Sequence, residues 1–144
     1  MSFYTDWFLT DVSEAPVIAS IVLTEDRAHD DWPNVALRNI GEIELVALYE
    51  LLRPGRDGGN SVSGELLFQG GEDGPFVSAV ESRFVEALGG VPAGAEVELA
   101  ERWQAHEALA DWSTDELAEV LRSLTEFARA ARTAGKPVLQ MVVL

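Results

Sequence analysis

The last seven residues, VLQMVVL (138–144), limit the possible folds more than any other stretch of the chain. A strand with one face in water alternates apolar and polar residues. This run hardly alternates, so both of its faces must be covered, by layers of its own fold or by another chain. It is therefore expected inside a sheet or at an interface, unlike most chain ends. The stretch FYTDWFLT (3–10) offers a partner: it is rich in aromatics and free of Gly and Pro. Strand periodicity puts Phe3, Thr5, Trp7 and Leu9 on one face, with Tyr4, Asp6, Phe8 and Thr10 on the other.

Between these two strands the pattern changes several times. In VSEAPVIASIVLTED, Val17, Ile18, Ile21 and Val22 follow helical spacing, and Ser13 with Pro16 suits a helix start. The β-branched content of the same stretch favours a strand, and both readings stay open. VALR (35–38) reads as a short strand. IGEIELVALYELLRPG predicts a helix over Glu42–Arg53, apolar around nearly its whole circumference and so buried on most sides. RPGRDGGNSVSG is a loop, and GELLFQGGEDGPFVSAV (64–80) is a hairpin around a Gly/Asp/Pro turn. SRFVEALGG is a short helix with Gly89 as its C′ residue. A helix is expected over Ala95–Ala110, and a second begins at STDE, where Ser113 and Glu116 form a capping box. Leu117, Val120, Leu121, Leu124, Ala128 and Ala131 make its core stripe, and Gly135-Lys136-Pro137 ends it. The sum is an α+β fold: a mostly antiparallel sheet of four or five strands packed against helices, with the terminal strands adjacent.

A chain of 144 residues has the size of one domain, and residues 1–144 are read as one. Hydrophobic residues at 47% against 24% charged match a globular composition and exclude a disordered one. The absence of cysteine rules out disulfides and thiolate metal sites. No stretch approaches the roughly 20 apolar residues of a membrane helix. The N-terminal MSFYTDWFLTD lacks the basic and apolar regions of a signal peptide, so a cytoplasmic protein is expected. Arginine outnumbers lysine nine to one, a bias that suits a GC-rich bacterial origin.

The formal net charge of −15 disfavours nucleic acid and anionic lipid as partners, because both are bound through Lys and Arg. A basic protein is the favoured partner class. The charge is unevenly spread. Residues 94–119 carry eight acids against Arg102, whereas residues 120–137 carry Glu126 against Arg122, Arg129, Arg132 and Lys136. Glu98, Glu101, Asp115 and Glu119 lie on the outward faces of the two predicted helices, and Asp111 and Trp112 lie between them. These six form the candidate partner surface, set against the plainer reading of a solvated helix exterior.

Candidates for chemistry are few. His29 with Asp30 and Asp31, in RAHDDWPN, cannot supply a full metal ligand set alone, since adjacent side chains diverge. A turn anchored by Trp32 explains the stretch. His106 shares a helical stripe with Leu99, Trp103 and Ala110, which aims its imidazole at or near the core. There, with Glu107 beside it, it is either a general base in a pocket or a core imidazole satisfied by a backbone carbonyl. HEALAD lacks the second histidine of a zincin site, and GRDGGNSVSG lacks the Lys-Ser/Thr of a phosphate loop. The serines Ser61, Ser63, Ser78 and Ser82 have no basic partner in the sequence. No metal or cofactor site is expected.

FYTDWFL, IGEIELVALYELL and FARAARTAGKPVLQMVVL together give a layout that resembles small acidic bacterial α+β proteins of no established function. The resemblance implies a single α+β domain and carries over no catalytic residue. Two functional expectations follow. The first is a non-catalytic interaction module: an inhibitor or immunity-type binder of a basic partner, or an assembly subunit that oligomerises through its apolar last strand. The second is a small-molecule binder or enzyme with a pocket at Trp103, His106 and Glu107, joined by His29.

Overall fold

The structure, a computed structural model, describes residues 4–20, 33–53, 62–72 and 74–143. Five strands, β1 (Tyr4–Leu9), β2 (Asn34–Arg38), β3 (Ser63–Gln69), β4 (Phe76–Val80) and β5 (Val138–Val143), form one sheet in the order β2-β1-β5-β4-β3. Every neighbouring pair is antiparallel. The apolar run occupies the central strand. β1 pairs along one edge, from Tyr4 opposite Val143 to Leu9 opposite Val138, and β4 along the other, from Phe76 opposite Val142 to Ala79 opposite Leu139. Both edges of β5 are taken within the chain, so it offers no edge for pairing with a second copy.

Two apolar layers cover the sheet. On one face Trp7, Leu9, Leu37, Val80 and Val138 join the core built by α2 (Glu42–Leu52), α3 (Ser82–Gly89), α4 (Glu96–Gln104) and α5 (Thr114–Ala134). On the other, Phe8, Val77, Leu139 and Met141 pack under α1 (Ala15–Ser20). The open choice for that stretch resolves as helix over Ala15–Ser20, with Ala15, Ile18 and Ala19 turned inward at the i, i+3, i+4 spacing of one helical face.

Three expectations are corrected. α2 is not buried nearly all round: Leu45, Ala47, Leu48 and Tyr49 are buried, but Ile43 is 68% exposed. Gly89 is the last residue of α3 and not its C′ residue; Gly90 caps the helix. The physical reason for a glycine at 89 is packing, since a Cβ there would lie 2.7 Å from Cδ of Arg132. The helix expected over Ala95–Ala110 ends at Gln104, and a single 3-10 turn, Glu107–Leu109, follows.

The start and stop signals of α5 hold. Ser113 Oγ accepts from the Glu116 N–H and Glu116 Oε1 accepts from the Ser113 N–H, both at 3.1 Å. Gly135 takes the left-handed conformation at φ 66°. Replacing Ser113 with alanine leaves an N–H of the first turn without its partner and is expected to cost about 1 kcal/mol. A urea titration against the parent chain measures it.

Candidate functional site

The helices do not cover the whole of the face they pack on. They bury Trp7, Leu9, Val80 and Val138, while one register step further along the strands Thr5, Val142, Phe76 and Ser78 face a groove of about 620 Å³. Gln140, opposite both Trp7 and Ser78, completes the floor. The first turn of α2, Gly41–Glu44, and Ser63 at the start of β3 form the walls. Most of the surface is apolar, contributed by Ile43, Phe76 and Val142 in particular. This size and character are those of small-ligand sites.

A hydrogen-bond chain fixes the floor. Trp7 Nε1 donates to Gln140 Oε1 at 3.0 Å, and Gln140 Nε2 donates to Ser63 Oγ at 3.1 Å. Ser63 Oγ donates to Glu42 Oε2 at 2.9 Å, and Glu42 Oε1 accepts from the Val62 N–H at 3.3 Å. Because an indole N–H can only donate, Gln140 must present its oxygen to Trp7 and its NH₂ to the groove side. One N–H of that amide serves Ser63, and a second remains for a ligand. The chain also ties the N-terminus of α2 to β3, holding wall and floor in one arrangement.

Two other floor residues are different. Thr5 is 3% exposed and Ser78 9% exposed, yet among the described residues neither hydroxyl makes a hydrogen bond. Buried hydroxyls are normally paired, because leaving one unpaired costs about 1–3 kcal/mol. They flank β5 from opposite sides, on β1 and β4, two strand spacings apart and offset by two residues. Strand geometry places their Cα atoms about 12 Å apart. The groove therefore offers an apolar middle with a donor-acceptor group near each end and an amide N–H between them. Ser63 Oγ itself lies between the Glu42 carboxylate and the Gln140 amide.

The residues singled out in the sequence are dispersed. His106 is exposed beyond the end of α4, and its Nδ1 accepts the Ala108 N–H at 3.1 Å. The inward aim expected for it is corrected. A side chain that captures a nearby backbone N–H competes with helix continuation, and here the helix has already ended. Glu107 is exposed as well, whereas Trp103 is fully buried and donates Nε1 to the Glu44 carbonyl at 2.9 Å. His29, with Asp30 and Asp31, lies outside the described residues.

Of the six partner-surface residues, Asp111 and Trp112 line one hollow together with Glu44 and Glu116. Glu98 lines another, with Arg102 and the end of α2. Glu101, Asp115 and Glu119 are exposed. The basic stretch serves packing in part, since Arg129 Nη2 donates to the Val91 carbonyl and Arg132 lies over Gly89. Among the described residues, no group of three or more acids and histidines is placed to hold a metal ion, and no helix is long and apolar enough to cross a membrane.

Sequence reasoning missed Thr5, Glu42, Ser63, Ser78 and Gln140 as one site. The available signal was Gln140, the one polar residue in VLQMVVL. Comparison with protein-family models, curated proteins and solved structures finds no match for the chain.

Proposed function

We propose that this chain is a binding module whose working site is the groove at the uncovered end of the sheet. The ligand inserts an apolar group between Ile43, Phe76 and Val142 and hydrogen-bonds to Thr5, Ser78 and the spare N–H of Gln140. The observation that carries this reading is the pair of buried hydroxyls that have no partner among the described residues, both opening into one apolar groove. A fold that needed these positions only for packing would gain by filling them with valine and alanine.

The neutral probe N-phenyl-1-naphthylamine tests it. Saturable fluorescence enhancement is expected. In Ser78→Phe, which fills the floor, the affinity should fall at least about tenfold, the loss of some 1.4 kcal/mol of contact, while thermal unfolding confirms that the variant is folded. An absence of saturable binding, or equal affinity in a folded Ser78→Phe, overturns the proposal.

A further inference from the structure

Glu44 lines two cavities at once. One is the groove. The other is a hollow of about 430 Å³ whose walls include Asp111, Trp112 and Glu116. The walls of this hollow are held from behind. The backbone carbonyl of Glu44 accepts from buried Trp103, and Gln104 joins the Trp112 carbonyl to the Thr114 hydroxyl. Three carboxylates, Glu44, Asp111 and Glu116, thus line one hollow with a half-buried indole, and that of Glu116 is held by the Ser113 N–H. They are not placed to share a metal ion. A planar guanidinium suits them better, because it stacks on an indole and donates in several directions to separate carboxylates.

Resting on the groove being a binding site, we propose that groove and hollow form one two-part site for a segment of a basic partner protein. That segment places an apolar side chain in the groove and an adjacent arginine in the hollow, with Glu44 at the junction. Three observations favour a protein segment over a free small cation. Two adjoining cavities give the ligand two anchoring points. Ile43 and Leu66, both exposed, extend the apolar surface around the groove. The net charge of −15 accelerates encounter with a basic macromolecule.

The test uses a fluorescein-labelled tetrapeptide of alternating leucine and arginine, with a twin in which neutral citrulline replaces arginine. The arginine peptide is expected to bind about tenfold more tightly than its twin, as a cation over an indole beside three carboxylates implies. It should shift the amide resonances of Thr5 and Ser78 and the indole resonance of Trp112 together. Asp111→Asn, which lies outside the groove, should weaken the arginine peptide several-fold and leave naphthylamine binding unchanged, and Glu44→Gln should weaken the arginine peptide by a similar factor. Glu126→Gln, an equal loss of charge on the exposed side of α5, should leave peptide affinity as it was.

Equal binding of the two peptides, or a Trp112 signal that stays put while the groove resonances move, overturns the two-part site and leaves the groove standing. Arginine amide alone binding as tightly as the peptide would make the hollow a small-cation site and overturn the protein assignment. If naphthylamine also fails to bind, the groove reading itself falls.

Discussion

Replacing Trp7 with alanine is expected to destabilise the fold by about 3–5 kcal/mol, the range for removing a fully buried large aromatic side chain. Trp7 is wholly buried on β1, meets Phe84 edge-on at a centroid distance of 6.0 Å, and approaches Phe127 at 6.4 Å. It thus joins the sheet to α3 and α5 at one point. Domains of this size are stable by only about 5–15 kcal/mol, so the variant should lose from about a fifth to all of the parent stability.

Trp7→Phe separates packing from hydrogen bonding. It keeps an aromatic ring but removes the N–H that holds Gln140 Oε1, an oxygen on a residue only 4% exposed. An unmatched buried acceptor should add about 1–3 kcal/mol to the packing loss. Urea titrations of both variants measure these terms. A Trp7→Phe chain as stable as the parent would mean that the indole does not anchor the floor of the groove.

The double substitution Thr5→Val with Ser78→Ala should move stability and binding in opposite directions. Neither hydroxyl has a partner among the described residues, so their removal should leave stability unchanged or raise it by up to about 1 kcal/mol. A hydrogen-bonding ligand of the groove should lose two contacts. At about 0.5–1.5 kcal/mol each, that is about 5- to 150-fold in affinity. A chain under selection for stability alone gains nothing by keeping these two polar residues. If instead the double variant unfolds more readily by more than about 1 kcal/mol, the hydroxyls have a structural role and the reading of the groove is wrong.

Much of the fold could be read in the residues because its causes are local. The nearly continuous apolar run at 138–144 pointed to a strand with both faces covered, and β5 is that strand. The Ser113–Glu116 box and Gly135 mark the ends of α5 because capping involves residues only a few positions apart. The hairpin of β3 and β4 follows for the same reason.

The site could not be read so directly, because its causes are distant. Trp7 and Gln140 are 133 positions apart and Gln140 and Ser63 are 77 apart, and only the strand order brings β1, β4 and β5 side by side. Ser63 and Ser78 looked unpartnered in the sequence; the fold gives Ser63 an amide and a carboxylate and leaves Ser78 facing the groove. His106 was misplaced by the opposite error. A helical period extended past Gln104 aimed an imidazole at the core, whereas a local bond to Ala108 holds it on the surface.

Chemical-shift mapping with N-phenyl-1-naphthylamine on the ¹⁵N-labelled chain tests the site most directly. The amides of Thr5, Ile43, Ser78 and Val142 and the side-chain amide of Gln140 should shift together and saturate at one concentration. Shifts gathered instead around Glu98 and Arg102, or scattered with no common saturation, would contradict a binding site at the open end of this sheet.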